Sequence, residues 1–275
     1  LPFEAATSDH KSLKGLISDF IQDSDGDLWI SIEQEGVFHY NIESEKLTYY
    51  PTSTLPGGMR MISLCEGHNN EIWVFPYGLP PLSIDKKTGQ TEELQLIDDP
   101  YFFYNLEEVR NVFANGENEL ILPTSNKGLV SVNTARRTHK VLLDTDIEGE
   151  PIFARTAKQI DNETMWVGTE SGVYIMNRED GSIKNLRYDY FIPTSLSDNA
   201  IYSIYQDRDG GIWVGSYFGG VDYYSPDLNS FEVFYPIPQV NNMVGSRVRE
   251  FHLNDDGNLW IGTEDGGLHL FNPDD

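Results

Sequence analysis

The sequence contains 275 residues, of which 39% are hydrophobic and 12% aromatic, enough to bury a sizeable core. It carries 19 Lys and Arg against 44 Asp and Glu, a formal net charge of −25. A field of that sign repels phosphate groups, which argues against nucleic acid as a partner and against direct contact of this segment with an anionic membrane. The single cysteine, Cys65, excludes an internal disulfide framework and a zinc site built from cysteines.

The start of the sequence gives no targeting information. It reads LPFEAATSDH, which does not resemble a secretory leader, and no run of about 18 apolar residues follows anywhere in the sequence. We expect the sequence to come from the middle of a longer chain, whose leader and any membrane span lie outside it.

One unit recurs along the chain. It consists of an apolar strand, an Asp-Gly or Asn-rich turn, a second strand that opens on tryptophan, a loop that contains glycine, and a third strand; the clearest copy is Asp207–Asn229. The six anchor positions are spaced about 45 residues apart, which is the period of a repeat architecture. They are Trp29, Trp73, Ile121, Trp166, Trp213 and Trp260.

The predicted elements follow this repeat in chain order. The first dozen residues contain a short strand at Phe3–Ala6 and a polar connection. The strands predicted for repeat one are Leu16–Gln22, Leu28–Ile32, Val37–Asn41 and Lys46–Tyr50. Four short strands with turn residues between them, repeated at this period, predict an all-β fold: a β-propeller of four-stranded antiparallel blades.

The number of blades that close the ring stays open between two alternatives. Six repeats are visible, and the last one stops after its third strand, without the counterpart of Phe231–Phe234 in repeat five. Phe3–Ala6 would complete that blade and remove a free sheet edge, which favours a closed six-bladed ring. The alternative is six blades of a seven-bladed ring. We predict a single propeller domain over residues 1–275, as a fragment of a longer multidomain protein.

The recurring residues are explained by the blade itself. Asp, Asn and Gly accept the backbone of a tight turn, and the tryptophan supplies apolar area between neighbouring sheets. Gly168, Gly215 and Gly262 follow their tryptophans by two positions, where a side chain is expected to collide with the adjacent sheet.

The unit I-x-x-I-x-x-D-x-x-G-x-[IL]-W-[IV]-G-T-x-x-G-G-[LV] resembles the two-component-regulator propeller repeat. The match is closest in repeat five, PTSLSDNAIYSIYQDRDGGIWVGSYFGGVDYY, and nearly as close in repeat six, REFHLNDDGNLWIGTEDGGLHLF. Repeats two and three depart from it, because Phe75-Pro76-Tyr77 replaces the Gly-Thr pair and Ile121 replaces tryptophan. The shared residues belong to the scaffold, so the resemblance specifies a repeat and not a ligand.

The resemblance implies a function. Propellers of this family form the periplasmic sensor region of hybrid two-component systems in Bacteroidetes, joined through a further β-domain and a membrane span to a histidine kinase and response regulator. It implies that the propeller is not catalytic, recognises an oligosaccharide and regulates genes for glycan utilisation. The implied partners are that oligosaccharide and the other domains of the parent protein, with a homodimer through the parent left open.

Aligning the first strands of the six repeats gives two columns of interest. The second column is Ser18, Ile62, Arg110, Arg155, Tyr202 and Arg249, and the third column is polar throughout. Because first strands line a propeller's central channel, we expect both columns to face it near one mouth. There the arginines would grip a carboxylate or sulfate on an acidic sugar. The alternative is that they pair with Asp19, Glu250 and other acids.

Exposed aromatic residues are the second candidate binding feature. Tyr101, Phe103 and Tyr104 lie in the longest interblade connection, where an aromatic run is unusual for a plain linker. Tyr77 and the pair Tyr217 and Phe218 occupy loops between second and third strands, on the same predicted face. Stacking on a sugar ring and packing over a blade edge both fit these positions.

No motif indicates a metal, a cofactor or a catalytic group. The run Asp23–Asp27 fails the calcium-loop pattern, because glycine stands fourth and Gln34 twelfth. Two alternatives to a sensor stay open: a propeller enzyme, such as a polysaccharide lyase or glycoside hydrolase, and a pure interaction scaffold. The net acidity favours a neutral glycan and the arginine column an acidic one.

Overall fold

The computed structural model describes residues 13, 15–51, 62–68, 70–146, 148–192, 194–225, 247–254, 258–264 and 266–271. These residues form strands β1 to β22 in six antiparallel sheets, which we call blades 1 to 6 in chain order, and one 3-10 turn at Phe103–Asn105. Within the described part of the chain, no helix is long and apolar enough to cross a membrane.

Blades 1 to 3 contain four strands each, in sequence order across the sheet. They are β1 (Ile17–Gln22), β2 (Leu28–Ile32), β3 (Gly36–Asn41) and β4 (Lys46–Pro51); β5 (Ile62–Glu66), β6 (Glu71–Pro76), β7 (Leu82–Asp85) and β8 (Thr91–Glu93); and β9 (Phe113–Ala114), β10 (Glu119–Thr124), β11 (Gly128–Asn133) and β12 (Thr138–Leu143).

Blade 4 has four strands, and blades 5 and 6 have three each among the described residues. They are β13 (Ala154–Gln159), β14 (Thr164–Thr169), β15 (Gly172–Asn177) and β16 (Ile183–Leu186); β17 (Ile201–Gln206), β18 (Ile212–Ser216) and β19 (Val221–Tyr224); and β20 (Val248–Leu253), β21 (Leu259–Thr263) and β22 (Gly267–Phe271).

The strand boundaries predicted for repeat one agree with blade 1 to within one residue at each end. Blade 3 differs, because its first strand was expected at Val109–Val112 and is instead the short β9. Glu108 and Asn111 take positive φ values of 39° and 46°, a left-handed backbone that interrupts the extended conformation of a strand.

The chain divides into two compact units. The first comprises Leu1–Asp189 and Thr194–Tyr224, which hold blades 1 to 5, and the second comprises Tyr190–Pro193 and Ser225–Asp275, which hold blade 6. The predicted strand at Phe3–Ala6 and the segment Phe231–Phe234 lie outside the described residues. The single-domain assignment and the two alternatives for ring closure therefore stay predictions.

Within the first unit, the anchor residues of blades 1 to 4 pack between their own blade and the next, as the repeat predicted. Trp29 lies in a cluster with Leu64 and Val74 of blade 2, and Trp166 lies in one with Ile201 and Val214 of blade 5. Trp73 and Ile121 occupy the corresponding clusters towards blades 3 and 4. Since these are large apolar side chains, their burial contributes most of the cohesion between blades.

The aspartate that begins the first turn fixes the tryptophan of the same blade. Trp29 Nε1 donates to Asp23 Oδ2 at 2.9 Å, and Trp213 Nε1 donates to Asp207 Oδ2 at 2.9 Å. In both turns the other carboxylate oxygen accepts backbone N–H groups. The recurrent aspartate is therefore a scaffold residue, which leaves its carboxylate engaged and not presented to a ligand.

Of the three glycines two positions after the tryptophans, only Gly168 lies against the adjacent sheet as predicted. The prediction was wrong for Gly215, which approaches its own blade, and for Gly262, where a Cβ would meet nothing closer than 3.8 Å among the described residues. A Cβ on Gly168 would come within 2.7 Å of both Thr156 in its own blade and Ile201 in the next. A Cβ on Gly215 would come within 2.4 Å of Ser203 Oγ. The first and second strands therefore approach closely enough to require glycine in blades 4 and 5.

The polar third column joins the first strands of successive blades. Asp19 Oδ2 accepts from Ser63 Oγ at 2.8 Å and from the Leu64 N–H at 2.9 Å, and Ser63 Oγ accepts from the Val112 N–H at 3.0 Å. Asn111 Nδ2 continues the series by donating to the Arg155 carbonyl at 3.2 Å. Burial raises the pKa of Asp19 despite these hydrogen bonds.

Candidate functional site

The second-column residues lie at irregularities in the sheets. In blade 4, Ala154 pairs with Thr169 and Thr156 with Gly168, which leaves Arg155 as the extra residue of a β-bulge. Tyr202 occupies the same position in blade 5. The register shifts likewise at Ser18 and at Arg249. A bulge turns its extra side chain out of the regular alternation, so these residues point to the end of the blade.

A cavity of about 500 Å³ lies in the first unit at this end of the blades. Four second-column residues and three third-column residues line it: Ser18, Arg110, Arg155, Tyr202, Asp19, Ser63 and Asn111. The column predicted to converge therefore does converge for these residues of the first unit. A volume of this size is typical of small-molecule sites.

Arg155 is held between two aromatic rings. Its guanidinium carbon lies 4.2 Å from the centroid of the Tyr202 ring and 4.4 Å from that of Phe153. Glu170, at the end of the neighbouring strand, forms an ion pair with the same guanidinium. Cation–π contacts and an ion pair fix the Arg155 side chain, which is therefore preorganised as a hydrogen-bond donor.

The aromatic series continues outwards from Tyr202 to the surface. The Tyr202 and Tyr217 rings stack with centroids 5.2 Å apart, and Tyr217 meets Phe218 edge to face at 4.4 Å. Tyr217 is 59% exposed and Phe218 88% exposed. We call Phe153, Arg155, Tyr202, Tyr217 and Phe218 the aromatic ladder; it runs from the cavity to an open surface that spans blades 4 and 5.

Two carboxylates hold the loop that carries Tyr217 and Phe218. Asp198 Oδ2 accepts from the Phe218 N–H at 3.0 Å, and this backbone hydrogen bond holds the pKa of Asp198 below its usual range. Asp222 Oδ2 accepts from the Ser197 N–H at 3.0 Å. The exposed rings thus stand on a loop with defined backbone contacts, so less conformational entropy is lost when a ligand binds.

The arginines pair with acids, which was the predicted alternative to a ring that grips an anionic sugar. Arg155 pairs with Glu170 and Arg249 with Glu264, each fifteen positions later, while Arg110 Nη2 lies 3.2 Å from Glu108 Oε2. Glu170, Glu264 and Glu108 are among the other acids of that prediction, which named Asp19 and Glu250 as examples. Asp19 instead accepts hydrogen bonds from blade 2, and in blades 4 and 6 the bulge brings the arginine to the residue four places after the tryptophan.

The other predicted aromatic residues do not belong to the aromatic ladder. Phe103 is 8% exposed and packs near Phe75 and Phe102, with ring centroids 6.4 and 5.1 Å away, so it is a core residue and not a surface one. The turn buries this pair of phenylalanines and leaves Tyr101 and Tyr104, on either side of it, in solvent. Tyr77 is partly exposed in the β6–β7 loop.

Arg249 belongs to the second unit. Its guanidinium forms an ion pair with Glu264, and its side chain is largely exposed. Blade 6 thus repeats the Arg–Glu pair of blade 4.

Sequence reasoning missed Glu170 and Glu33. Glu170 is the ion-pair partner of Arg155, and Glu33 lines the cavity beside Ser18. Both stand four positions after their tryptophans, the same position as Tyr217 and Tyr77. Aligning this position across the repeats would have found the partners; the bulge that brings the two columns together has no signature in the sequence.

The single cysteine is a packing residue, and no metal-binding cluster is found among the described residues. Burial raises the pKa of the Cys65 thiol to about 12, which keeps it protonated and unreactive at neutral pH. Among the residues that the structure describes, no cluster of three or more His, Cys, Asp or Glu side chains is arranged to hold a metal ion.

Solved structures similar to this chain define its class. The extracellular domain of BT3049 from B. thetaiotaomicron, named as a hybrid two component system, matches with a TM-score of 0.65 and 20% identity over 99% of this chain and 35% of that one. The extracellular domain of BT4673 from the same organism, also named as a hybrid two component system, matches with a TM-score of 0.59 and 20% identity over 97% of this chain and 34% of that one. A GH74 enzyme from Niastella koreensis matches with a TM-score of 0.55 and 13% identity over 93% of this chain and 43% of that one. The fold is a β-propeller.

The chain spans about a third of the length of the two B. thetaiotaomicron domains. Residues 195–218 match the family described as two component regulator propeller. The repeat in blade 5 is therefore a two-component-regulator propeller repeat, as its residues predicted. Among curated proteins, none matches the sequence.

Proposed function

We propose that this chain is a ligand-binding propeller from the extracytoplasmic sensor of a hybrid two-component signalling protein, and that the cavity at the aromatic ladder binds an oligosaccharide. The observation that carries the proposal is the aromatic ladder itself: exposed Tyr217 and Phe218 lead inwards to Arg155 and Tyr202 at a cavity of about 500 Å³.

The chemistry of this surface suits a sugar. The C–H faces of a pyranose stack on exposed aromatic rings, while its hydroxyls need donors and acceptors at the rim of the stack. Arg155 and Asn111 supply donors and Glu170 and Glu33 supply acceptors within or beside the cavity. Convergent polar groups around an apolar platform are the general form of a small-molecule site.

The family match supports the sensor role. In this proposal the propeller lies in the periplasm as part of an inner-membrane protein, and ligand binding is passed through other domains of the parent to a histidine kinase. The output is induction of glycan-utilisation genes. The propeller itself does not cleave its ligand.

The test is binding of an oligosaccharide panel by thermal shift and calorimetry, with Tyr217→Ala as the site variant and Tyr101→Ala as the control. Both tyrosines are exposed, so neither substitution is expected to disturb the fold. We expect at least one oligosaccharide to stabilise the wild type and the Tyr101→Ala variant, and Tyr217→Ala to weaken binding about tenfold.

Two results would overturn the proposal. The first is a panel in which no oligosaccharide binds, which would favour an interaction scaffold. The second is the appearance of shorter sugars when the protein is incubated with a bound oligosaccharide, which would identify an enzyme.

A further inference from the structure

We propose that the cavity selects an uncharged oligosaccharide, and that Arg155 and Arg110 contact sugar hydroxyls as charge-compensated donors and do not anchor a carboxylate or sulfate. This inference rests on the proposed function and names the class of its ligand.

Both arginines already carry a carboxylate partner. Arg155 is paired with Glu170, and its guanidinium lies against Tyr202 and Phe153. Arg110 Nη2 lies 3.2 Å from Glu108 Oε2. An anionic sugar would meet a tethered carboxylate at each guanidinium, which cancels much of the attraction of the positive charge and repels the anion at short range.

Further acids surround the same cavity. Asp19 and Glu33 line it together with Arg110 and Arg155. With the ion-pair partners Glu108 and Glu170 counted, four acidic side chains and two guanidiniums lie in or beside the cavity, so acidic groups are in excess there. The chain as a whole has a net charge of −25, which adds a repulsive field for any anion that approaches.

An uncharged sugar avoids these costs and gains all the remaining contacts. The Arg155 guanidinium has five N–H donors, more than a single carboxylate accepts, and Asn111 and Ser18 lie in the cavity wall. Ser18 Oγ is buried without a hydrogen-bond partner among the described residues, which is the kind of group that a ligand hydroxyl satisfies. Tyr217 and Phe218 offer the stacking surface outside.

The position of the paired residues explains why the charges cancel. In blades 4 and 5 the second-column side chain meets the residue fifteen positions later, as Arg155 with Glu170 and as Tyr202 with Tyr217. The same geometry therefore presents a compensated ion pair in one blade and an aromatic stack in the next.

The test uses three oligosaccharides of equal length and linkage: one neutral, one with a uronate and one sulfated. Binding is measured by calorimetry at about 50 mM and about 500 mM NaCl, between which the screening length falls several-fold. We expect the neutral form to bind at least about tenfold more tightly than either anion at low salt, with an affinity that is almost independent of salt.

A substitution separates Arg155 from its compensating charge. Glu170→Gln leaves the guanidinium uncompensated and is expected to tighten binding of the anionic forms about tenfold at low salt. Glu163→Gln removes one negative charge from an exposed turn at the opposite end of blade 4 and serves as the matched control. Circular dichroism and melting temperature establish that both variants are folded.

The possible outcomes are distinguishable. Tighter binding of the uronate or sulfated form by the wild type would overturn the uncharged class but leave the sensor proposal intact. No binding of any oligosaccharide would overturn the proposed function itself. If the neutral oligosaccharide binds but Glu170→Gln does not change the affinity for the anionic forms, Arg155 does not contact the ligand.

Discussion

The two ends of the blades in the first unit use similar residues for different purposes. At the end that carries the β1–β2 turn, Lys86 Nζ lies 2.7 Å from Asp25 Oδ2, 2.9 Å from Glu66 Oε1 and 3.3 Å from Asp23 Oδ2, with its side chain only 6% exposed. At the opposite end, the aromatic ladder places Arg155 beside exposed rings. We call the first group the lysine cluster.

The lysine cluster is closed because its members satisfy one another. Asp23 also accepts from Trp29, and Glu66 also accepts from the Ser24 N–H and hydroxyl. Burial alone would lower the pKa of Lys86, but the hydrogen bonds to the three carboxylates raise it. The aromatic ladder keeps donors and ring faces in reach of solvent. The buried, mutually paired lysine cluster has a structural role, whereas the solvent-accessible aromatic ladder is suited to binding. Four sets of substitutions test this difference.

The largest expected effect is on folding, at the tryptophan next to the lysine cluster. Trp29 is fully buried, stacks on His39 with ring centroids 4.3 Å apart and donates to Asp23. Trp29→Ala should lower the free energy of unfolding by about 3–5 kcal/mol, measured by urea denaturation. Trp29→Phe, which keeps a ring, should lose less; equal losses would show that ring burial is not what matters.

A smaller loss is expected from the lysine cluster itself. Lys86→Met leaves three carboxylates together and should destabilise the protein by about 2 kcal/mol, whereas exposed Lys87→Met should change little. Although burial opposes it, hydrogen bonds from Ser24 and Lys86 hold the pKa of Glu66 below its usual range. That stability is present above the ordinary glutamate pKa and lost as the pH falls through the lowered one. If Lys86→Met and Lys87→Met still differ in free energy of unfolding at acidic pH, the stabilising role of the lysine cluster is contradicted.

The third effect is a pH dependence with the opposite sign, at the cavity. Burial raises the pKa of Asp19 above its ordinary value of 3.8, so the folded state holds this proton more tightly than the unfolded state. Stability is therefore lost as the pH rises from the ordinary aspartate pKa towards the raised pKa of the folded state. An asparagine does not ionise and keeps one oxygen that can accept from Ser63 and Leu64, but its amide nitrogen cannot accept from the Phe20 N–H as Asp19 Oδ1 does. Asp19→Asn should therefore remove this loss, so that its stability relative to wild type rises as the pH rises above the ordinary aspartate pKa. Urea titrations across that range measure the difference; a constant difference would reject this assignment.

The smallest effect on stability is expected at the aromatic ladder. Tyr217 and Phe218 are mostly exposed, so Tyr217→Ala and Phe218→Ala should each change the free energy of unfolding by less than about 0.5 kcal/mol. The same variants should bind the oligosaccharide more weakly, about tenfold for Tyr217→Ala. A thermal melt of each variant without sugar provides the measurement, and a large destabilisation would make the aromatic ladder a packing feature.

Only part of the site could be predicted from the sequence. The convergence of Arg110, Arg155 and Tyr202 follows from aligning the repeats, because first strands of successive blades lie side by side. Phe103 was placed with Tyr101 and Tyr104 because a run of aromatic residues in a loop does not reveal which ring points inwards. The 3-10 turn at Phe103–Asn105 decides that, through contacts with Phe75 of blade 2.

The sequence by itself determined the β-propeller repeat, the strands of blade 1 and the scaffold roles of Trp29, Asp23 and Gly168. These depend on local patterns: alternation within short strands, turn residues at fixed offsets and a period of about 45 residues. Only the tertiary structure decided which acid compensates Arg155 and where the aromatic ladder lies. Both depend on β-bulges and on contacts between residues in different strands and blades, which no single stretch of sequence encodes.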